Sequence, residues 1–330
     1  MPKLFIYIPT FNRHDLVMKQ IEILLSEIDG RDNVRILISE NPSGSAQSAE
    51  LEAACRANPR VQFRRNLGNY GGNANFLLGF CEAQSDEVLW LLADDTEVKP
   101  GAIDYIFSKL DSEIAFYGFS VPQDDPELRL PNQMGESLDK LIVWNDIGID
   151  RLISKTSWGG ISSALYDMNY FKDFVEFGFT FYNSSFPHLA IFLSALKKNY
   201  QMTIRLLPLD LIHGENNGEL GNYSLSVAGM PQIFCFAPDW ERRKITINWL
   251  KRYSAAFYFS RKSHPEVFAG TRDIMRSYGG LRGRFWLAVG KIEFLIRSTT
   301  MGHKIQMFVI KNKVLSRLFR RTGRTLMLGD

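Results

Sequence analysis

Two adjacent carboxylates, Asp94 and Asp95, follow an apolar run at residues 87–92 that is predicted to be a buried strand. The carboxyl end of a strand is where an open α/β sheet presents groups to a ligand. Carboxylate oxygens fixed there can hold a hard divalent cation, which completes its shell with water and substrate phosphates. Asp-Asp-Thr shortly before Pro100 is also ordinary chemistry for the start of a helix. This stretch alone leaves both interpretations open.

A second polar turn, residues 9–13, follows the first apolar run of the chain. Phe11 could stack on a nucleotide base, and Arg13 could reach a phosphate. The turn lacks the Gly-x-Gly-x-x-Gly pattern, which argues against a nicotinamide-dependent enzyme. The structural alternative is that Asn12 caps a helix beside a core phenylalanine.

Two further turns carry groups that suit a nucleotide. Residues 39–43 contain Glu40, a candidate acceptor for a base N–H, although an ordinary polar turn has the same composition. Residues 65–75 are rich in glycine and asparagine and open a predicted helix. Glycines allow close approach of the backbone, and the free N–H groups of a helix start favour an anion.

Regular alternation of strands and helices connects these turns. Strands are predicted at residues 4–8, 34–39, 61–64 and 87–92, and helices at residues 14–28, 46–57, 72–83 and 100–110. Such alternation predicts an α/β fold with a mostly parallel sheet covered by helices on both faces. Later elements are predicted at residues 114–120, 141–143, 163–166, 187–198 and 201–207, followed by a polar turn at 213–218 and a helical region from residue 231.

The composition points to a globular chain with an uneven distribution of charge. Of the 330 residues, 45% are hydrophobic, the formal net charge is +3, and the three cysteines suggest a reducing cytosol rather than a disulfide framework. No secretory signal or membrane-spanning run is recognised. Residues 282–325 contain eleven Lys or Arg and one acidic residue, Glu293. Residues 281–321 interleave these cations with apolar side chains, which predicts docking on an anionic membrane surface.

Two alternatives exist for this basic region. It could pack on the rest of the chain with a solvated basic face. It could also bind nucleic acid, but no nucleic-acid-binding motif accompanies the charge, so no nucleic-acid partner is expected.

The order of the four polar turns resembles that of the inverting family 2 glycosyltransferases with the GT-A fold, over roughly residues 3–215. The segment from Asn66 to Asn73 looks like the version found in rhamnosyltransferase-type members that build bacterial cell-surface polysaccharide. The resemblance implies a divalent metal, Mn²⁺ or Mg²⁺, held by Asp95 with Asp94 in support, because Ala93 occupies the first position of the DxD motif. It also implies that His213 completes the metal shell. The residues implied to hold the nucleotide sugar are Pro9, Thr10, Phe11, Arg13, Glu40, Asn41, Asn66, Gly68, Gly72, Asn73, Asp94 and Asp95.

The catalytic base is the largest departure from the family pattern. In most members an aspartate at the start of a helix takes this role, and His188 stands at that position here. A histidine can act as a base near neutral pH, although a lone histidine near a helix start is more often structural. Glu176, Asp167 and Asp210 are the substitutes. Residues 157–166 resemble the segment that shapes the acceptor pocket.

The resemblance implies a glycosyltransferase that moves a sugar from a nucleotide-diphosphate donor to a glycan acceptor, linked to polyprenyl diphosphate, in O-antigen-like polysaccharide biosynthesis. The expected location is cytoplasmic and peripheral, on the inner face of the plasma membrane. Residues 1–120 are predicted to form the nucleotide-sugar-binding half, residues 121–220 the acceptor-binding half, and residues 221–330 a helical, membrane-associating region. A sugar nucleotidyltransferase should carry a glycine-rich loop with a lysine after the first strand, which is absent. A non-catalytic nucleotide-sugar-binding or scaffold protein remains the other alternative.

Overall fold

The computed structural model describes residues 2–120, 140–143, 161–182, 186–199, 202–208, 211–214, 229–237, 239–263 and 265–297. The chain divides into two compact units. The first consists of Met1–Tyr182 and Pro187–Gly218, and the second of Asn183–Phe186 and Glu219–Asp330.

The first half of the first unit alternates strands and helices as the sequence predicts. Its elements are β1 (Lys3–Thr10), α1 (His14–Glu27), β2 (Val34–Glu40), α2 (Gln47–Ala57), β3 (Val61–Arg65), α3 (Gly72–Glu82), β4 (Glu87–Leu91), β5 (Thr96–Val98), α4 (Ala102–Lys109) and β6 (Ile114–Ser120).

The rest of this unit is less regular. It contains β7 (Lys140–Val143), a 3₁₀ turn (Ile161–Ser163), β8 (Ala164–Asp167), α5 (Met168–Phe171), a second 3₁₀ turn (Lys172–Phe174), α6 (Val175–Thr180), α7 (Pro187–Lys198), β9 (Thr203–Pro208) and β10 (Ile212–Gly214).

Eight strands form one sheet in the order β3-β2-β1-β4-β8-β6-β9-β7. The pairs β1–β2, β1–β4, β2–β3 and β6–β9 are parallel, whereas β8 runs antiparallel to β4 and β6, and β7 runs antiparallel to β9. The prediction of a mostly parallel α/β sheet is confirmed. The carboxyl ends of β1, β2, β3 and β4 therefore meet at one edge, which is where the polar turns lie.

The central strand β1 explains how this edge is held in place. Successive side chains of a strand point to opposite faces of the sheet. Leu4, Phe5, Ile6, Tyr7 and Ile8 are each at most 1% exposed, so both faces of the strand are covered. Gly79 of α3 allows one of these contacts, because a Cβ there would lie 2.7 Å from Leu91 and 2.8 Å from Tyr7.

A small second sheet differs from the sequence prediction. Strand β10 pairs antiparallel with β5, so that His213 stands opposite Glu97 and Gly214 opposite Thr96. The prediction of a polar turn starting at His213 is therefore wrong for residues 213 and 214. Strands of three residues are too short to give a readable alternation of polar and apolar side chains.

The second unit is helical in the part that the structure describes. A 3₁₀ segment (Met230–Phe236) precedes α8 (Asp239–Ser263) and α9 (Pro265–Arg297). Helix α9 is broken at Gly280, whose φ of 56° and ψ of −144° are not helical. None of the helices in the described ranges combines the length and the apolar character needed to cross a bilayer.

Candidate active site

A four-residue cluster lies at the carboxyl ends of β1 and β4. Thr10 Oγ1 donates a hydrogen bond to Asp94 Oδ2 at 2.9 Å. Arg13 Nη1 lies 3.0 Å from Asp94 Oδ1 and 2.9 Å from Asp95 Oδ2, so one guanidinium bridges both carboxylates. The structure thus brings together the first and last of the four predicted turns.

The two aspartates differ in their environment. Asp94 is buried, and both of its oxygens accept hydrogen bonds from the protein. Burial raises the pKa of the Asp94 carboxyl, and the bonds from Thr10 and Arg13 offset only part of that effect. The Asp95 side chain is 26% exposed, and its Oδ1 has no hydrogen bond to any described residue. Asp95 is therefore the carboxylate more open to a ligand.

Arg13 keeps donors available beside these carboxylates. Its Nη1 makes both ion pairs, and Nη2 and Nε have no acceptor within the described part of the chain. Its side chain is 41% exposed. Because a guanidinium can contact a phosphate through two parallel N–H groups, the free side of Arg13 suits a diphosphate.

The segment that carries the two aspartates is held from two directions by hydrogen bonds that the sequence did not reveal. Ser162 Oγ accepts the amide hydrogen of Ala93 at 2.9 Å and lies 2.8 Å from Thr96 Oγ1. From α1, Gln20 Nε2 donates to the carbonyls of Ala93 and Thr96 at 3.2 and 2.6 Å. Both anchoring side chains are at most 5% exposed. They fix the backbone on either side of Asp94 and Asp95.

The turn after β1 presents an aromatic face. Phe11 is 43% exposed, and Asn12 has a φ of 60°, the left-handed conformation that asparagine tolerates better than most residues. The following residue, Arg13, precedes the start of α1. The alternative in which Asn12 caps this helix is not what the structure has, because Arg13 holds that position without a side-chain capping bond. An exposed ring two residues from the Arg13 guanidinium is suited to stacking on a base.

Glu40 has a different environment from Phe11. It is fully buried, with Oε1 2.7 Å from His14 Nε2 and Oε2 accepting from Ser48 Oγ at 2.6 Å and Arg65 Nε at 3.2 Å. Burial acts to raise the pKa of Glu40, but these donors outweigh it and leave the pKa below its usual value. A direct bond from Glu40 to a base stays a prediction, and both carboxylate oxygens already have hydrogen-bond partners in the protein.

Two asparagines of the glycine-rich turn, Asn66 and Asn75, belong to a buried hydrogen-bond network. Asn66 Nδ2 donates to Asn41 Oδ1 at 2.9 Å and to Asn75 Oδ1 at 3.2 Å. Asn75 Oδ1 also accepts from Tyr7 at 3.0 Å and Ser39 at 2.7 Å. This network joins the ends of β1, β2 and β3 to the first turn of α3. Asn41 and Asn66 thus shape the edge of the site, and Asn75 is a member that the sequence did not single out.

Glycines connect this turn to the start of α3. Gly71 has a φ of 78°, which glycine adopts without steric cost, and Gly72 begins the helix. Gly68 has a negative φ and lies beside Tyr70. Asn73 Nδ2 donates to the carbonyl of Tyr182 at 2.6 Å, which ties the start of α3 to the end of α6. Pro9, the last predicted nucleotide contact, is buried in β1 opposite Ser39.

The candidate bases lie in three distinct settings. His188 is in the first turn of α7 and only 2% exposed. Glu176 is exposed on α6. Asp167 pairs with Val88 near the start of β4, so it lies at the opposite end of that strand from the segment that carries Asp94 and Asp95. The suggestion that Asp167 acts as the base is therefore wrong; its side chain caps α5 by accepting from the Asn169 amide at 3.0 Å.

Some predicted groups fall outside the described residues. The structure does not describe Asp210 or residues 157–160 of the predicted acceptor segment. It also does not describe the His213 side chain. The His213 backbone lies opposite Glu97, two residues beyond Asp95. Within the described ranges, no group of three or more His, Cys, Asp and Glu side chains is arranged to hold a metal ion. The carboxylates of Asp94 and Asp95 are nevertheless the ligand type and number that Mg²⁺ takes from a protein when phosphates complete its shell.

Comparison with known proteins agrees with this geometry. Residues 5–174, more than half of the chain, match the family model described as Glycosyl transferase family 2. The GalNAc(5)-diNAcBac-PP-undecaprenol beta-1,3-glucosyltransferase of Campylobacter jejuni subsp. jejuni serotype O:2 is 32% identical over 111 residues, which is 33% of this chain and 35% of that protein. The chain thus matches about a third of the length of this curated relative.

Solved structures extend the likeness to nearly the whole chain. S. aureus TarS 1–349 in complex with UDP-GlcNAc superposes with a TM-score of 0.61 at 12% identity, over 92% of both chains. The structure of TarS 1–349 described without a ligand gives a TM-score of 0.58 at 10% identity, over 92% of this chain and 91% of that one. These likenesses concern the fold. Together with the family match, they identify the chain as a GT-A-fold glycosyltransferase that belongs to glycosyl transferase family 2.

Proposed function

We propose that this protein is an inverting glycosyltransferase that moves a sugar from a nucleoside-diphosphate donor to a glycan acceptor carried on polyprenyl diphosphate, in cell-surface polysaccharide biosynthesis. The observation that carries the proposal is the cluster in which Arg13 bridges Asp94 and Asp95 beside the exposed ring of Phe11. One aromatic face, one guanidinium and a partly open carboxylate match the base, the diphosphate and the metal of a nucleotide sugar.

The proposed donor site uses each group for a separate part of the ligand. Phe11 stacks on the base, and the free N–H groups of Arg13 contact the diphosphate. Asp95 is the proposed main ligand of Mn²⁺ or Mg²⁺. Asp94 and His213 are the proposed supporting ligands. When bound, such a cation neutralises charge that develops on the departing diphosphate. Arg13 adds positive charge at the same place, where preorganised electrostatics contribute most to catalysis.

The proposed reaction is a single displacement. The acceptor hydroxyl attacks the anomeric carbon from the face opposite the diphosphate, the bond from that carbon to the diphosphate oxygen breaks, and the configuration inverts. His188 is the proposed base that takes the hydroxyl proton, and the exposed carboxylate of Glu176 is the alternative. The His188 side chain is 2% exposed, whereas Glu176 is exposed to solvent.

A lipid-linked acceptor is supported by a surface of the second unit. After the break at Gly280, the apolar side chains of Leu281, Phe285, Ala288 and Ile292 are exposed. Leu281 is 82%, Phe285 60% and Ile292 57% exposed. At 100° per residue these four positions share one face of the helix, opposite the buried Gly283, Leu287 and Gly290. We call these four residues the apolar stripe.

Cations border the apolar stripe on both sides. Arg284 and Lys291 lie along one side and Arg282 along the other, and all three are exposed. An exposed apolar stripe between cations is typical of helices that lie in the headgroup layer of an anionic membrane. The curated Campylobacter relative carries PP-undecaprenol in its name, which agrees with an acceptor in a membrane. We therefore propose a peripheral location on the inner face of the plasma membrane.

A nucleotide-release assay tests the enzymatic part of the proposal. Purified protein is mixed with single nucleoside-diphosphate sugars and Mn²⁺, and the free nucleoside diphosphate is measured with and without lipid-linked acceptor. We expect one sugar donor to be consumed, faster with the acceptor than without it. Donor binding without any release, detected as a rise in melting temperature, would instead support the non-catalytic binding protein.

A further inference from the structure

A basic groove lies between the two long helices of the second unit. It has a volume of about 480 Å³ and is lined by Arg243, Lys244, Ile247, Asn248, Lys251 and Arg282. Its volume falls within the range of small-ligand sites. We call it the α8–α9 groove. Neither the family match nor the predicted donor site accounts for it.

The charge of this groove is concentrated and unbalanced. Of the six described residues that line it, four are cations, all four are exposed, and none is a carboxylate. Within the described residues none of the four forms an ion pair, whereas the adjacent Arg242 pairs with Asp239 at 2.7 Å and donates to the Cys235 carbonyl at 2.9 Å. Clustered like charges repel one another, and an anion in the groove would remove that repulsion.

Helix geometry brings the cations together. Arg243, Ile247 and Lys251 recur every four residues, so they share one face of α8. Arg282 comes from α9, two residues after the break at Gly280. The two helices pack closely here, because a Cβ at Gly279 or Gly283 would be in ordinary van der Waals contact with Leu250 Cδ1, at 3.9 or 3.7 Å. Two arginines and two lysines thus surround a floor formed in part by Ile247.

We propose that the α8–α9 groove binds the diphosphate group of the polyprenyl-linked acceptor. Four cations exceed what the single charge of a phosphodiester headgroup requires, whereas a diphosphate offers two phosphoryl groups to two guanidiniums. Arg282 lies next to Leu281, the first residue of the apolar stripe, so a lipid chain held at the stripe has its charged end beside the groove. The inference rests on the proposed function, because it takes its ligand from the proposed acceptor.

Vesicle binding tests the inference. Phosphatidylcholine vesicles are doped either with polyprenyl diphosphate or with phosphatidylglycerol at equal surface charge, and protein binding is measured by flotation. We expect about tenfold tighter binding to the diphosphate vesicles. The double variant R243Q/K251Q should lose this preference. The control R272Q/R276Q removes the same charge from residues that pair with Asp273 outside the groove, and it should keep the preference.

Equal binding to the two vesicle types, or an unchanged preference in R243Q/K251Q, would overturn the inference. Competition with inorganic pyrophosphate provides a second measurement that needs no variant. Pyrophosphate should release wild-type protein from the diphosphate vesicles more effectively than sulfate at equal ionic strength. If it does not, the inference is also overturned. Nucleotide release by the wild type, measured separately, tests the proposed function. Selective vesicle binding without nucleotide release would overturn the enzyme and leave the groove standing.

Discussion

The side-chain oxygen of Ser162 accepts the amide hydrogen of Ala93 at 2.9 Å, one residue before the Asp94–Asp95 pair. Ser162 belongs to the 3₁₀ turn that leads into β8, within the segment predicted to shape the acceptor pocket. Trp90 of β4 adds a bond from its Nε1 to the Ser162 carbonyl at 2.9 Å. Movement of the acceptor-side segment would therefore be transmitted directly to the backbone that carries the carboxylates.

We expect Ser162→Ala to weaken activity more than stability. The substitution leaves the Ala93 amide without its acceptor, which costs about 1–2 kcal/mol of unfolding free energy. Because small displacements of a reacting group have large effects on rate, kcat should fall by roughly ten- to hundredfold. Urea unfolding and nucleotide release measure the two effects. The control is Ser163→Ala, a buried neighbour with no side-chain hydrogen bond to a described residue. Equal effects of both variants would contradict a positioning role for Ser162.

The sequence revealed the elements of the fold better than the contacts of the site. Helix α7 spans the predicted residues 187–198, and β6 spans the predicted 114–120, because both have long apolar patterns. The hydrogen bond from the Ala93 amide to Ser162 Oγ joins residues 69 positions apart, and no local sequence pattern indicates such a pairing. For Glu40, the position at the end of a strand predicts a contact with a ligand. In the structure Glu40 is instead buried against His14, Ser48 and Arg65. These three partners come from three other elements, so the sequence around Glu40 does not reveal the burial.

Asp95→Asn should abolish the metal-dependent part of donor binding. Asp95 is the more exposed carboxylate, and its loss removes charge from the proposed metal site while the amide can still accept from Arg13. We expect at least about a hundredfold loss of kcat/KM. Mn²⁺ should no longer add to the rise in melting temperature produced by a nucleoside diphosphate. Asp104→Asn, a surface carboxylate on α4 that pairs with Arg31, is the control. Undiminished turnover in Asp95→Asn would remove Asp95 from the metal site.

His188→Gln separates catalysis from packing. If the imidazole takes the acceptor proton, the variant should lose roughly a hundredfold or more in acceptor-dependent turnover while donor affinity is unchanged. Because a protonated imidazole cannot accept the hydroxyl proton, the wild type should also lose activity at acidic pH, and the variant should lack that acidic loss. Rates measured from pH 5 to pH 9 test both points. If the variant instead lost melting temperature, donor binding and turnover together, His188 would be a structural core residue. Glu176→Gln would then be the variant to measure.

Asp167 predicts a pH dependence of stability that is separate from catalysis. Burial raises the pKa of Asp167 to about 6. A carboxyl with a raised pKa in the folded state binds its proton more tightly there, so stability falls as pH rises from its unfolded value, about 4, through 6. Asp167→Asn removes the charge and keeps an oxygen to cap α5. We compare the free energy of unfolding of the variant with that of the wild type at each pH. This difference should favour the variant by on the order of 1 to 3 kcal/mol more at pH 7.5 than at pH 4.5. A difference independent of pH in urea unfolding would contradict the shifted pKa.

The apolar stripe gives a prediction that distinguishes insertion from simple charge attraction. Burial of a large apolar side chain contributes roughly 1.5–3 kcal/mol, so L281S/F285S/I292S should bind anionic vesicles at least tenfold more weakly. That loss should persist at high salt, because apolar burial is not screened. In R284Q/K291Q the loss should appear at low salt and shrink as salt rises, since only exposed charges are removed. Flotation with phosphatidylglycerol vesicles at two salt concentrations provides the comparison. If the triple serine variant bound as tightly as the wild type, the stripe would not be the membrane-contacting surface, because its three most exposed apolar side chains would contribute nothing to binding.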